Sequence, residues 1–379
     1  MTGNPLQRLH ELGQSIWYDY IRRDLVSGGE LARLIREDAL TGMTSNPTIF
    51  QKAIADSALY DEDIRRLSSD GREGFRTFEG VAVSDVSAAA DLFRPVYDRT
   101  EGDDGYVSIE VGPHLARDTE GTIAEARHLW QACDRPNVMV KIPGTKEGIP
   151  AIRQCLEEGI NINITLLFSV ARYREVMEAY LSAMEARARD GKPSDRVRSV
   201  ASFFVSRVDT MADKKLDALA SDPAASERER SLAKELRGKL GIANAKIAFQ
   251  AFGEIFGGSR FAALAGNGAA RQKPLWASTS TKDPSLPDLY YVEALVAPDT
   301  VDTMPPETLV AYRDHGDPKV RIGDDLAGAH SVFRGLTELG IDEAGIFRDL
   351  EEEGIRKFSD SFDSLLRTLG EKQRIVGAA

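Results

Sequence analysis

The sequence has 379 residues, of which 42% are hydrophobic and 28% are charged, and its net charge is −12. These values are typical of a globular protein with one large or two medium domains. The excess of acidic residues argues against a nucleic-acid partner. It does not exclude a small anionic substrate, which a locally basic pocket can bind. No segment has the ~20 apolar residues of a membrane span, no secretory pattern is evident and only two cysteines occur, so we expect a cytoplasmic protein with no membrane partner.

Short runs of apolar or β-branched residues predict eight strands. In chain order they cover residues 15–18, 41–44, 106–110, 137–142, 160–166, 197–205, 274–277 and 289–296. Between these runs, apolar residues recur at helical spacing, most clearly at Val170, Tyr173, Met177, Tyr180 and Met184. The long connections 46–105 and 206–273 have room for additional helices, and residues 341–372 predict one or two helices at the end.

The repeated alternation of strand and helix predicts an α/β fold. Closure after eight repeats gives a (β/α)₈ TIM barrel, here with extra helices in the βα connections and a C-terminal helical segment. We expect residues 1–379 to form a single barrel domain with residues 341–379 as a helical extension. A doubly wound open sheet is the competing architecture, but Gly266 and Gly268 follow a helical pattern, so no dinucleotide-binding fingerprint supports it.

Lys141 lies inside one of the predicted strands, in the apolar run 137–142 that Pro143 ends. Burial penalises the charged form of a lysine, and a neutral amine is a nucleophile that forms a Schiff base with a carbonyl substrate. The alternative is a lysine on an edge strand whose ammonium reaches solvent along its aliphatic stem.

Polar or ionisable residues follow or end seven of the predicted strands. In barrels of this class the catalytic groups lie at the carboxyl ends of the strands. The residues at these positions are Asp19, Asn46, Glu110, Lys141, Asn163 with Thr165, Ser202 with Arg207, and Ser278. Each has a structural alternative, as a cap or turn residue, an exposed strand end, a satisfied core pair, a barrel-filling residue or a surface residue. Their joint placement on one rim favours an active site.

Several segments resemble the transaldolase family in its longer form, a class of Schiff-base aldolase barrels. The most specific are Thr44-Ser-Asn-Pro-Thr-Ile-Phe50 and the run 159–169, which ends in Asn163-Ile-Thr-Leu-Leu-Phe-Ser169. Shorter matches at 15–19, 108–111, 140–143, 202–207 and 275–279 follow in family order and span almost the whole chain. The resemblance implies a transferase of carbohydrate metabolism. It would move a dihydroxyacetone unit from sedoheptulose 7-phosphate or fructose 6-phosphate to an aldose phosphate, in the non-oxidative pentose phosphate pathway.

The resemblance also implies roles for the residues at the strand ends. Lys141 would form the Schiff base, and Asp19 would take the proton from the C4 hydroxyl during cleavage. Glu110 suits the acid/base work of imine formation, helped by Thr165 through a bound water.

The remaining candidates would bind the substrate. Asn46 and Asn163 can hold the hydroxyls of the three-carbon unit. Arg207 suits a phosphate, and Ser202 and Ser278 can add donors. Shorter family members carry a phosphate-binding arginine after the position of Ser278. Lys282 is the best substitute in this sequence.

We expect no metal and no cofactor, because the iminium supplies the electron sink and the five histidines show no metal-ligand spacing. The expected partners are sugar-phosphate substrates, with the chain acting as a monomer or a homodimer. Two other functions stay open: a Schiff-base aldolase that releases free dihydroxyacetone, and a non-catalytic barrel that binds sugar phosphates.

Overall fold

The computed structural model describes residues 4–55, 57–69 and 74–377. In these residues eight parallel strands pair in sequence order, and the first also pairs with the last, which closes a barrel. The predicted (β/α)₈ fold is therefore confirmed. The strands are β1 Gln14–Asp19, β2 Leu40–Thr44, β3 Tyr106–Glu110, β4 Val138–Pro143, β5 Ile162–Leu167, β6 Ser199–Phe204, β7 Lys273–Ala277 and β8 Thr300–Met304.

Helices surround the barrel and occupy its connections. Additional helices follow β2 and β6, as the long connections 46–105 and 206–273 predict, and two helices also follow β1. None of the helices in the described ranges has both the length and the apolar character of a membrane span. The helices are α1 Pro5–Glu11, α2 Arg23–Ser27, α3 Glu30–Glu37, α4 Pro47–Ala55, α5 Asp61–Ser69, α6 Phe75–Arg99, α7 Thr119–Cys133, α8 Gly148–Glu158, α9 Val170–Arg189, α10 Ser206–Ala220, α11 Glu227–Leu236, α12 Leu240–Phe256, α13 Ser259–Ala265, α14 Tyr290–Ala294, α15 Pro306–His315, α16 Leu326–Glu338 and α17 Glu343–Gly377, with a 3₁₀ turn at Pro113–Leu115.

The prediction of the eighth strand at residues 289–296 is wrong. That run forms the short helix α14, with Leu289, Val292 and Val296 buried at near-helical spacing. A short apolar run does not distinguish a buried strand from a buried helix by its pattern alone. The real strand, β8, was overlooked because two threonines and Asp302 make up most of it. Asp302 is nevertheless fully buried and accepts a hydrogen bond from Thr279 Oγ1 at 2.8 Å.

The lower part of the barrel interior is apolar. One buried cluster contains Trp17, Met139, Val200 and Val301. Two positions after each of them, near the carboxyl end of the same strand, comes a polar residue: Asp19, Lys141, Ser202 and Thr303. Residues two apart share a face of a strand, so the polar side chains stand above this floor. Trp17 fits because Gly42 faces it: a Cβ there would lie 2.4 Å from the Trp17 Cε2 atom.

Helix α17 crosses the open end of the barrel. Its close approach depends on Gly354, where a Cβ would lie 3.0 Å from Leu166 Cδ2 at the end of β5. Ser361 accepts a hydrogen bond from Thr48 of α4 at 3.0 Å, and Phe362 packs edge to face against Phe78 of α6. Because α17 shares the barrel's hydrophobic core, we propose that residues 1–379 act as one domain.

Candidate active site

A cavity of about 260 Å³, called the front cavity below, opens at the carboxyl ends of the strands. Its wall contains eight of the ten residues that the sequence predicts for the site; Glu110 and Asn163 are the two exceptions. The front cavity is lined by Asp19, Thr44, Asn46, Lys141, Thr165, Ser202, Phe204, Ser206, Arg207, Thr210, Ala277, Ser278, Ser280, Lys282, Thr303, Pro305, Glu307 and Phe358.

Lys141 projects into the front cavity from the middle of the barrel wall. Strand β4 lies between β3 and β5, and Lys141 is in register with Glu110 on one side and Asn163 on the other. The residue is only 6% exposed. Its Nζ lies 3.4 Å from the carbonyl oxygen of Ser45, 3.5 Å from Glu110 Oε2 and 5.8 Å from the ring centre of Phe358. The amine is therefore enclosed and does not reach bulk solvent from an edge strand.

Asp19 faces the same cavity from the end of β1. Its Oδ1 accepts a hydrogen bond from Thr44 Oγ1 at 2.8 Å, and the Thr44 hydroxyl lies 2.7 Å from the Thr303 hydroxyl. Since Thr44 gives its one proton to Asp19, Thr303 is the donor to Thr44. Burial raises the pKa of Asp19, while the charges of Lys141 and Arg207 and the Thr44 hydrogen bond oppose that rise. The hydrogen bond from Thr44 thus holds the carboxyl in one orientation at the cavity wall.

Glu110 forms a close pair with Lys141 but does not line the front cavity. Burial raises the pKa of its carboxyl to about 7, and the charge of Lys141 opposes the rise. Its Oε2, although 3.5 Å from the ammonium, accepts no hydrogen bond from any described residue. A carboxyl that titrates near neutrality is suited to both giving and taking a proton.

Glu110 instead lines a smaller space behind the barrel wall, called the rear cavity below, of about 30 Å³. The wall of the rear cavity is mainly apolar, with carboxylates from three elements. It is lined by Ser45, Asn46, Pro47, Phe50, Phe75, Phe78, Glu79, Ala82, Ile109, Glu110, Val111, Pro113, Glu125, Leu129 and Phe362.

Asn163 lies below the front cavity in a polar layer of the barrel interior. Its Nδ2 donates to Ser108 Oγ at 2.9 Å, and its Oδ1 accepts from Ser202 Oγ at 2.7 Å. Asn163 therefore orients Ser202, which does line the cavity. By contrast, Thr165 lines the front cavity. Its side chain is fully buried, and its Oγ1 has no hydrogen-bond partner among the described residues. A buried hydroxyl without a partner is suited to hold water or a substrate oxygen.

Asn46 stands at the opposite side of the opening, between the front and rear cavities. Its Oδ1 accepts a hydrogen bond from the backbone N–H of Ile49 at 3.2 Å and so caps α4. The amide nitrogen is not used by this cap, and Asn46 lines the front cavity. The turn role and the binding role that the sequence left open are compatible.

Cationic and hydroxyl groups gather where β6 and β7 end. The guanidinium of Arg207 lies over the Phe204 ring at 5.0 Å, and no carboxylate of the described residues forms an ion pair with it. Burial lowers the pKa of Arg207, though far too little to discharge it. Ser278 has the unusual φ of 57°, and its hydroxyl lies 2.8 Å from that of Ser206. Lys282 is exposed at the rim. Together these groups can receive a phosphate.

Sequence reasoning missed several residues of the front cavity. Thr303 and Glu307 were missed because β8 was misplaced; once β8 ends at Met304, the rule that sites follow strand ends would select both. Ser206 precedes the predicted Arg207, and Ser280 lies two residues after the predicted Ser278. A search that included two residues on either side of each predicted residue would have found both. Phe358 comes from α17, and no local signal connects it to Lys141.

No group of three or more His, Cys, Asp or Glu side chains is arranged to hold a metal ion in the ranges that the structure describes. Cys133 and Cys155 are free, buried thiols that burial keeps protonated, with the pKa of Cys133 raised to about 11. Neither lines the front cavity.

Comparison with known proteins gives full-length matches. The family model described as transaldolase/fructose-6-phosphate aldolase matches residues 16–369. The transaldolase of Saccharopolyspora erythraea is 48% identical over 375 residues, covering 98% of both chains. That of Thermobifida fusca is 46% identical, covering 96% of this chain and 97% of its own. Transaldolase 2 of Nostoc sp. is 43% identical, covering 99% of both. The similarity therefore extends through the barrel and into α17.

Proposed function

Because the chain belongs to the transaldolase/fructose-6-phosphate aldolase family, we propose that it transfers a dihydroxyacetone unit from a ketose phosphate to an aldose phosphate through a Schiff base on Lys141. The donor is sedoheptulose 7-phosphate or fructose 6-phosphate, as in the non-oxidative pentose phosphate pathway. The observation that carries this proposal is the enclosed amine of Lys141, which shares one cavity with Asp19.

Imine formation uses Lys141 and Glu110. The amine adds to the keto carbon, and the carbonyl oxygen becomes a hydroxyl. Protonated Glu110, 3.5 Å from Nζ, supplies the proton with which that hydroxyl leaves as water, and the C=N bond forms. Thr165 Oγ1 has no other partner, so it can hold the departing water. The charge of the iminium then balances that of the Glu110 carboxylate.

Carbon–carbon cleavage uses Asp19. The carboxylate takes the proton of the C4 hydroxyl, the C3–C4 electron pair moves into the iminium to give an enamine, and the aldose leaves. Raised in pKa by burial, Asp19 is a better base than a solvated aspartate, and the Thr44 hydrogen bond holds it in position. The same steps in reverse join the three-carbon unit to the acceptor and return the proton from Asp19.

Substrate binding divides the cavity into two ends. The hydroxyls of the three-carbon unit meet Asn46 and Ser202, with Asn163 orienting Ser202 from below. The phosphate meets Arg207, with Ser278 and Lys282 at the rim. Every group in this scheme comes from one chain, so a monomer or a homodimer can carry it out.

Borohydride trapping tests the proposal directly. We expect fructose 6-phosphate with borohydride to add the mass of a reduced dihydroxyacetone unit at Lys141, located by peptide mass spectrometry. Lys141→Ala should take up no label and lose turnover, whereas Lys146→Ala, which removes an exposed lysine of the following loop, should behave as wild type. A label on another lysine, or none in active enzyme, would contradict the mechanism. Free dihydroxyacetone formed without an acceptor would instead identify an aldolase.

A further inference from the structure

The three residues that follow β7 divide between the front cavity and the barrel wall. Ser278 and Ser280 line the front cavity, whereas Thr279 between them does not and is fully buried. The Thr279 hydroxyl donates a hydrogen bond to Asp302 Oδ1 at 2.8 Å, and Asp302 is fully buried as well. The residue between two hydroxyl donors of the cavity is therefore fixed to the last strand of the barrel.

This segment is attached differently on its two sides. On the side of β6 the backbone holds it, since the N–H of Ser206 donates to the carbonyl oxygen of Ser278 at 2.9 Å. On the side of β8 the strand pairing ends at Trp276 and Asp302. Beyond that pair, the hydrogen bond between the side chains of Thr279 and Asp302 continues the attachment of the segment to β8.

Ser278 needs such support because its backbone lies in the left-handed region, at a φ of 57°. This conformation is uncommon for a residue other than glycine, and it persists where surrounding contacts hold it. The Ser278 hydroxyl lies 2.8 Å from that of Ser206, the first residue of α10, which also carries Arg207. A change at Thr279 would therefore shift the hydroxyls of Ser278 and Ser280 relative to the Arg207 guanidinium.

Stability does not account for a carboxyl at position 302. A buried carboxyl costs free energy unless it is well paired, and replacing both partners of a buried hydrogen bond by apolar groups is often nearly neutral. Asp302 forms no ion pair with the described residues, and its Oδ2 has no hydrogen-bond partner among them. Burial raises its pKa to about 7, but the neutral and the ionised carboxyl both keep an oxygen that accepts the bond. What Asp302 provides is a fixed acceptor for Thr279.

We propose that the Thr279–Asp302 pair positions the phosphate-binding end of the front cavity. It holds Ser278 and Ser280 where their hydroxyls meet the phosphate beside Arg207. This inference rests on the proposed function, in which that end of the cavity binds the phosphate. Thr279 and Asp302 are positioning residues, since neither lines the front cavity. The pair determines how strongly the site prefers a phosphorylated sugar and takes no part in the chemistry of the imine.

Thr279→Val and Asp302→Leu remove the hydrogen bond from opposite sides. The assay is the rate of Schiff-base formation with fructose 6-phosphate and with fructose, trapped by borohydride over a range of sugar concentrations. We expect each variant to lower the ratio of the two second-order rate constants about tenfold, the effect of one lost hydrogen bond to a charged group. The loss should lie in the half-saturating concentration of fructose 6-phosphate, while its saturating rate and the rate with fructose stay within about twofold of wild type.

Two conservative variants and a matched control separate positioning from stability. Thr279→Ser keeps the hydroxyl donor and Asp302→Asn keeps an acceptor oxygen, so both should retain the wild-type preference. Thr300→Val is the control, because it removes a fully buried threonine hydroxyl from the other end of β8, where that hydroxyl donates to the carbonyl oxygen of Ala297 at 2.6 Å. Its urea midpoint should fall about as far as that of Thr279→Val, with the preference for phosphate unchanged.

A wild-type preference in Thr279→Val would refute the inference, and this variant decides it if Asp302→Leu does not fold. An equal loss for both sugars, or the same loss of preference in Thr300→Val, would show a structural role and also refute it. Failure of the proposed function looks different, because the wild-type enzyme would then take no label at Lys141. A wild-type enzyme that is labelled there and prefers the phosphorylated sugar, together with an unaffected Thr279→Val, refutes this inference alone.

Discussion

Truncation of Arg207 should have a much larger effect on phosphorylated substrates than truncation of Lys282. Arg207 is largely enclosed, lies over the Phe204 ring and has no carboxylate ion-pair partner among the described residues, so its guanidinium is free to bind a phosphate. Two charge-assisted hydrogen bonds at about 1.5 kcal/mol each give about 3 kcal/mol, or roughly 150-fold in kcat/KM. Lys282 is exposed, and an exposed ion pair contributes about 0.2–1 kcal/mol, or roughly 1.4-fold to fivefold.

The assay is single-turnover formation of the Lys141 adduct, followed by borohydride quenching and mass spectrometry. Rates are compared for fructose 6-phosphate and fructose, which differ only in the phosphate. Arg207→Ala should slow the phosphorylated donor about 150-fold more than the free sugar. Arg207→Lys should recover part of the loss, because it restores the charge but not the planar fork. Lys214→Ala, an exposed cation on the same helix α10, is the control.

Two results would refute this reasoning. An equal loss for both donors would mean that Arg207 acts through the fold or through Asp19, whose pKa its charge lowers. A larger loss in Lys282→Ala than in Arg207→Ala would mean that burial does not decide the strength of phosphate binding here.

Two further predictions concern buried carboxyls. Glu110→Gln should lower kcat about 10²–10⁴-fold. The protonated fraction of Glu110 falls as pH rises through about 7, so we expect the wild-type kcat/KM to decline above that pH and the decline to be absent in the variant. A decline that persists in the variant would assign it to another group. Asp302 has its pKa raised from 3.8 to about 7 by burial, so the folded state holds a proton that the unfolded state has lost, and stability falls as pH rises from about 4 to 7. Asp302→Asn should remove up to about 3 kcal/mol of the fall between pH 5 and pH 8, measured by urea unfolding at the two pH values; an unchanged difference between them would contradict it.

The two carboxyls of the site differ in their surroundings. Glu110 is in register with Lys141 and lies 3.5 Å from its Nζ. Asp19 lines the front cavity from the end of β1 and accepts a hydrogen bond from Thr44. Acid/base work in imine formation and in C–C cleavage is thereby given to carboxyls with different surroundings.

Much of the fold follows from the sequence because its signals are local. Seven strands lie where short β-branched runs predict them, since such runs suit a buried parallel strand whatever surrounds them. The polar residues at their ends reach one rim because parallel strands in a closed barrel end on the same side. Lys141, Asp19 and Arg207 therefore lie around one cavity, as expected, although their chemical roles stay predictions until the trapping and kinetic tests are made.

Other features depend on contacts between residues far apart in the chain, and only the tertiary structure decides them. The run 289–296 is a helix and Thr300–Met304 is the last strand, because closure of the barrel requires a partner for both β7 and β1. Phe358 reaches Lys141 from a helix more than 200 residues later in the chain. The rear cavity exists only because α6, α7 and α17 pack together behind β3, and no pattern in the sequence near Glu110 records that packing.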